Sequence, residues 1–326
     1  MTYTSKFSAN ENSQMESVGY ISITTISKNL KLKNGLTKMQ TSGLNSLSMQ
    51  QRISINELTT LRWSLEEDLN AYRSYDIPAI GVSWRKLLAY GVQRGVRKIK
   101  QSELPVSSLG WVGGFTGHNG FGFDEVLLEC KRAIRVASQL GAPTVTVVTG
   151  PQNRHIDSHA NRLVCLALQE LAELAECYGV TISLQPMHPI YQHNWSMIHT
   201  TDQAIKMIRQ IGHPSLKLAL GTYHVGDESD LCTRVHEFID LIGIVHLADR
   251  STSPLNENDR EIPGEGQLPL RGIIQALESA GYDGWYETEV WSKDLWKLDH
   301  HDLIQCCLQS QTALFSNEFS ETVSEH

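Results

Sequence analysis

Apolar and polar positions along most of this chain switch repeatedly between two periods. Short apolar, β-branched runs give way to stretches with apolar residues at i, i+3, i+4 and i+7, the pattern of a buried strand followed by an amphipathic helix. The switching begins near Arg52. ISINELTT (53–60) reads as a strand and SLEEDLNAYRSY (64–75) as a helix, with Ser64 as N-cap and Glu67 completing a capping box. IPAIGVS (77–83) precedes a helix over about 85–101, VSSLGWVGGF (106–115) one over 124–140, and TVTVVTG (144–150) a long one over about 157–178. VTISLQPMHP (180–189) precedes TDQAIKMIRQIG (201–212), capped by Thr200 or Thr201, and LKLALGTYHVG (216–226) precedes a helix over about 229–240. IGIVHLAD (242–249) runs through a long polar loop to the helix LRGIIQALESAG (270–281), and GWYETEV (284–290) leads to a last helix over about 296–315.

Eight such units have crossovers long enough for parallel pairing and close into a (β/α)₈ barrel, a fold usually built from about 250 residues. A doubly wound sheet would carry a G-x-G-x-x-G turn after its first strand. The Gly-rich loop here, GGFTGHNGFG (113–122), follows the third strand and orders its glycines differently. The expected organisation is an extension over 1–51, a barrel over 52–316 and a tail over 317–326. The extension is rich in Ser, Thr, Asn, Lys and Gln, has one strand-like run, ISITTI (21–26), and is expected to be poorly ordered.

Composition narrows the function classes. The 326 residues carry a formal net charge of −8, which argues against a general nucleic-acid binder, because neutralising phosphates takes basic patches. No apolar run is long enough for a membrane span, and no secretory signal pattern opens the chain. The six cysteines show no C-x-x-C spacing and sit mostly in helical windows. They read as reduced, buried thiols of a cytoplasmic protein.

In a barrel the polar residues at the C-terminal ends of the strands face one bowl. Strand one offers Glu57, strand three Trp111, strand five Gln185 and His188, and strand six Tyr223 and His224. Strand seven offers His246 and Asp249, and strand eight Glu287 and Glu289, which share a face because alternate strand residues do. Two acids aimed inward are costly unless paired, metal-bound or solvated. For Glu287 a rim-exposed, salt-bridged position weighs as much as a functional one, whereas Glu289, nearer the mouth, favours function. His246 alone reads as a packed core histidine. A carboxylate at the same level on the next strand turns it into a candidate metal ligand. His224 has the same core alternative, and His188 can simply cap a Pro-bounded loop. His118, His155, His159, His193, His199, His300 and His301 read as loop or helix-surface residues without a role.

SLQPMHP, LALGTYHVG, VHLAD, NENDREIPGEGQLPL and GYDGWYETEVWS together resemble the sugar phosphate isomerase/epimerase family of xylose isomerase-like barrels. Its members include ketohexose 3-epimerases, inosose isomerases and dehydratases, and endonuclease IV. The resemblance covers about residues 52–315. It implies a divalent ion (Mn²⁺, Mg²⁺, Co²⁺ or Zn²⁺) held by a strand-five glutamate, a strand-six aspartate, a strand-seven histidine and a strand-eight glutamate. The last two fall on His246 and Glu289, the first on Gln185 and the second on Gly221. The resemblance thus implies a metal set of Gln185, His246 and Glu289, with Glu289 also catalytic. It implies His188, His224 and Arg260 as contacts to sugar hydroxyls or phosphate, and Trp111 as an apolar wall.

Both changes remove negative charge. The family's three carboxylates against a dication become one here, and hard cations depend on charged oxygen ligands. An amide cannot serve as a general base near neutral pH, so Gln185 cannot take one half of a two-carboxylate proton transfer. One expectation is a sugar isomerase or epimerase with a rebuilt metal site that recruits Glu57, Asp249, Glu287 or His224. The alternative is a catalytically silent barrel that binds a small sugar, polyol or partner; a homo-oligomer is compatible with either. A nuclease reading would need more ligands and a basic surface, and a redox- or lyase-type barrel without a strong metal site is a further alternative.

Overall fold

The first strand stops earlier than its apolar pattern suggests, and the reason is local. Asn56 turns its side-chain carbonyl back to accept the N–H of Leu58 at 2.9 Å, an Asx turn that takes the chain out of extended geometry. In this structure, a computed structural model, residues 48–117, 120–250, 254 and 256–316 are described. The ISITTI run, His118 and the tail 317–326 lie outside them.

The strands are β1 (Ile53–Asn56), β2 (Ile80–Ser83), β3 (Val106–Gly113), β4 (Thr144–Val148), β5 (Thr181–Leu184), β6 (Leu216–Gly221), β7 (Ile242–Leu247) and β8 (Tyr286–Thr288). They are parallel, pair in chain order, and close where β8 meets β1. The barrel expectation therefore holds. Helices cover the outside and side chains fill the inside, so the strands are buried on both faces and read as near-continuous apolar runs. Arg52 locks the seam: it donates to the carbonyls of Tyr282 and Gly284, both at 3.0 Å, and grips Glu278 at 2.7 and 2.9 Å.

Three helices depart from the pattern. The stretch over 85–101 divides into Trp84–Tyr90 and Val92–Ser102 at Gly91, whose φ of +94° suits only a residue without a side chain. The helix expected over 229–240 is one turn, Leu231–Arg234, followed by 3₁₀ turns. Its apolar residues Leu231, Val235 and Phe238 keep helical spacing, but so short a segment gains little from its own hydrogen bonds and follows the surface it docks on. The last helix begins at His300, where Asp299 caps it by accepting from the N–H of His301 at 2.8 Å. All six thiols are free, and Cys177 and Cys306 are exposed rather than buried.

Candidate active site at the barrel mouth

Strand register puts the site together. Gly221 on β6 pairs with His246 on β7, His246 with Glu287 on β8, and Glu287 with Ser54 on β1. Residues in register share a face of the sheet, so this row points into the barrel. Glu289 lies one pleat further toward the mouth, and its N–H continues the ladder by donating to the Leu247 carbonyl at 2.9 Å. The two acids share a face as expected. Their surroundings differ.

Glu289, fully buried, has its charge matched. Its Oε1 receives a short hydrogen bond from the Arg260 guanidinium, and its Oε2 accepts from the Trp111 indole N–H at 3.0 Å. Arg260 is only 1 % exposed, with the rings of Trp111, Tyr223 and Trp291 at 5.2, 5.0 and 5.8 Å from its Cζ. It is therefore no loop arginine in solvent. Weakly hydrated and planar, a guanidinium is the cation best suited to such an aromatic cage.

Glu287 is 0 % exposed, which overturns the rim-exposed alternative. Its Oε1 accepts from Asn56 Nδ2 at 2.5 Å and Ser108 Oγ at 3.0 Å, and its Oε2 from Ser107 Oγ at 2.6 Å. All three donors are neutral. A Cβ at Gly81 would sit 2.4 Å from the Glu287 carboxyl carbon, so the glycine makes the room the carboxylate occupies. The sequence reading missed Asn56, Ser107, Ser108 and Gly81. The available signal was a polar pair inside the apolar strand VSSLGW.

Between the two acids sits His246, with Nε2 at 3.6 Å from Glu287 and Nδ1 at 3.6 Å from Glu289. Those distances are too long for hydrogen bonds, and neither ring nitrogen has another partner. The amide of Gln185, also 0 % exposed, has no partner at either atom. Its Nε2 lies 3.0 Å from where a Cβ at Gly221 would be, so the amide borders the space a side chain there would fill. Buried polar groups without partners are uncommon and call for water, an ion or a ligand.

His224 lies on a one-turn helix, Thr222–Val225, rather than on the strand end itself. Its Nδ1 faces the N–H of His188 and its Nε2 faces Arg260, each at 3.2 Å. A neutral ring accepts at one nitrogen only, so the other contact is not a hydrogen bond. Burial, and next the nearby Arg260 charge, push the His224 pKa well below the usual histidine range. The ring is therefore neutral at physiological pH. His188 caps the turn Pro189–Tyr191 by accepting from Ile190 N–H at 3.2 Å, the bland role open to it from sequence, while staying half-buried beside the mouth. Trp111, Trp195 and Trp291 form an edge-to-face cluster with centroids 5.1–5.6 Å apart. Beside it, the carboxylate of Glu257 accepts from Asn194 Nδ2 at 2.7 Å and Trp195 Nε1 at 3.0 Å, and its carbonyl from the Tyr191 hydroxyl at 2.5 Å.

Other acids proposed as replacement ligands are elsewhere. Glu57 lies past the end of β1, buried against Ser83, Lys86 and Asp68. Asp249 accepts the backbone N–H groups of Arg250, Gly264 and Leu268, at 2.8, 3.0 and 3.0 Å, and so shapes the loop after β7. A groove of about 1210 Å³ between the helices Asp157–Tyr178 and Thr201–Ile211 contains none of the site residues expected from sequence.

The donor set accommodates a cation. Ligand atoms of His246, Glu287 and Glu289 lie within 4.8 Å of one another, and no other such group of histidine, cysteine or acid residues occurs among the described residues. Two carboxylates and one imidazole nitrogen suit a divalent ion, and each ring nitrogen of His246, without a hydrogen-bond partner, lies 3.6 Å from one of the two carboxylates.

Known proteins share this architecture. An inosose isomerase of Halalkalibacterium halodurans is 25% identical over 211 residues, covering 63% of this chain and 73% of its own. A 3-dehydro-D-guloside 4-epimerase of Escherichia coli K12 is 27% identical over 225 residues, covering 64% and 81%. The crystal structure of an IOLI protein with a bound zinc atom superposes with a TM-score of 0.71 at 22% identity, covering 83% of this chain and all of that one. The sequence profile of the xylose isomerase-like TIM barrel matches residues 71–307. With the closed eight-stranded barrel and its inward-facing histidine and acids, that match makes this chain a member of the xylose isomerase-like TIM barrel family.

Proposed function

We propose that this protein is a sugar isomerase- or epimerase-like barrel that acts on or binds a small polyol or keto-sugar at its mouth. The observation that carries the reading is the convergence of Glu289, His246 and Glu287 next to Trp111, His188, His224 and Arg260, with the polar atoms of His246 and Gln185 left without partners. Relatives named as inosose isomerases and a keto-sugar epimerase support the substrate class. Six free thiols fit a reducing compartment, and we place the protein in the cytoplasm.

Isomerising a keto-sugar begins by moving a proton from the carbon beside the carbonyl, which takes a carboxylate-like base in reach and stabilisation for the oxygen that gains charge. Glu289 is the base in this reading, and Arg260 and Trp111 hold its carboxylate in one orientation. Neutral His224 can donate to or accept from a hydroxyl, and His188 stands beside it. A divalent ion held by His246 and Glu289, with the Gln185 carbonyl as a weak neutral ligand, would polarise the substrate's oxygens.

The test is proton exchange. The protein is incubated in D₂O with an inosose, a 3-keto-glycoside and a ketohexose, each with Mn²⁺, Mg²⁺, Co²⁺ or Zn²⁺, and ¹H NMR follows the carbon next to the carbonyl. Deuterium incorporation that Glu289→Gln abolishes is expected. Saturable sugar binding without exchange would instead establish the second reading, a silent sugar-binding barrel. Gln185 favours that alternative, because an amide cannot act as the base on the opposite face of the sugar. Neither exchange nor binding would sink both.

A further inference from the structure

Glu287 has no part in the family's ligand pattern, yet it is the most unusual group in the barrel. It is a fully buried carboxylate with three neutral donors and, among the described residues, no lysine or arginine in ion-pair reach. Glu289 and Arg260 balance each other. Glu287 is left over, and beside it lies a histidine whose two ring nitrogens make no hydrogen bond. A buried carboxylate that stays ionised needs a positive charge nearby.

We infer that this chain has rebuilt its cation site around Glu287, so that His246, Glu287 and Glu289 hold one zinc-like ion on the β7–β8 side of the barrel while positions 185 and 221 drop out as charged ligands. Three observations support this relocation. The register sets His246 directly beside Glu287, so imidazole and carboxylate stand in the same row. Gly81 leaves room for the carboxyl group, which a methyl there would strike at 2.4 Å. Asn56, Ser107 and Ser108 anchor the same carboxylate from behind, the kind of outer support that orients a ligating acid.

The charge arithmetic favours the same assignment. Replacing the family's glutamate and aspartate by Gln185 and Gly221 removes two negative charges, and Glu287 returns one. With one nitrogen and two carboxylate ligands, the site suits an ion content with few ligands and an open position. Mg²⁺ and Ca²⁺, which take six or more oxygens, are poorly served. The inference deepens the proposed function by naming the ion's ligands, and it uses metal binding as its readout, so it can fail while sugar exchange or binding survives.

The experiment uses chelator-stripped full-length protein. Calorimetric titration with ZnCl₂ is expected to show one site per chain, and Co²⁺ to give the intense visible absorption of a four- or five-coordinate ion. Glu287→Gln, nearly the same shape, should weaken zinc at least about 100-fold, beyond the 10–100-fold typical for losing an outer partner. The pair Ser107→Ala and Ser108→Ala keeps all three ligands and should weaken zinc about 10-fold, which secures the test if Glu287→Gln does not fold. Three results would overturn the assignment: no uptake of zinc or cobalt by the unsubstituted protein, a loss of zinc affinity in Glu287→Gln smaller than about 100-fold, or an unchanged cobalt spectrum in that variant. The first would mean that this site holds no metal.

Discussion

Gly221 and Gln185 stand where the resemblance to the family places two metal-binding carboxylates, and the proposed cation site can be tested there. Gly221 has φ −93°, a backbone any residue adopts, so an aspartate there meets no backbone strain. What it meets is His224 Cδ2 at 2.9 Å and Gln185 Nε2 at 3.0 Å from its Cβ, and the amide is the flexible end of a long side chain. Placing there the two carboxylates that the resemblance implies, Gln185→Glu with Gly221→Asp, requires the His224 ring to shift and is predicted to raise Mn²⁺ affinity by about tenfold or more, since hard cations follow ligand charge. Calorimetry in which affinity does not rise would show that these positions do not face the ion. Arg260 sets a second prediction. Replacing it by methionine strips a fully buried carboxylate of its cation, so Arg260→Met should cost about 3–5 kcal/mol in urea unfolding. A loss under about 1 kcal/mol would place Glu289 in contact with solvent.

The elements that were legible from sequence are those whose apolar pattern served the barrel alone. All eight strands and most helices lie where the periodicity puts them, because each element's buried face also decides where it packs. The pattern misled where a polar side chain or a glycine took over: Asn56 ends β1 and Gly91 splits a helix. Loop-to-loop contacts had no sequence signal at all. Glu257 holds the loop after β5 through Asn194, Trp195 and Tyr191, residues more than 60 positions away. Glu257→Ala is predicted to loosen that loop with little loss of global stability. Hydrogen exchange over residues 187–196 should speed up while the strands stay protected, and equal protection of the loop would mean the clasp is not what orders it.

Across the whole molecule the clearest pH dependence comes from Glu57. Its burial, opposed by Lys86 and reinforced by Asp68, pushes its pKa up from the ordinary 4.5 to about 8. Asp68, buried with it, is raised as well, again mainly by desolvation. A raised acid keeps its proton in the native state when the unfolded chain has already released it. The stability this contributes is complete below about pH 4.5 and is lost as pH rises toward about 8, at up to about 1.4 kcal/mol per pH unit. Thermal unfolding should therefore show Tm falling across that window, and Glu57→Gln should flatten the fall. A profile identical in the variant would move the titration to other groups.

Fold class and the inward direction of a β7 histidine and two β8 acids followed from order along the chain, because strand period is a local rule that repeats eight times around a barrel. The register then set His246 level with Glu287 and left Glu289 one pleat nearer the mouth. The partners of those residues did not follow. Asn56, Gly81, Ser107 and Ser108 come from three other strands and meet Glu287 only after closure. Whether an inward glutamate is a solvated rim charge, an arginine's partner or a buried anion awaiting a cation depends on groups up to 231 residues away in sequence. Periodicity says which way a side chain points; only the closed barrel says what it points at.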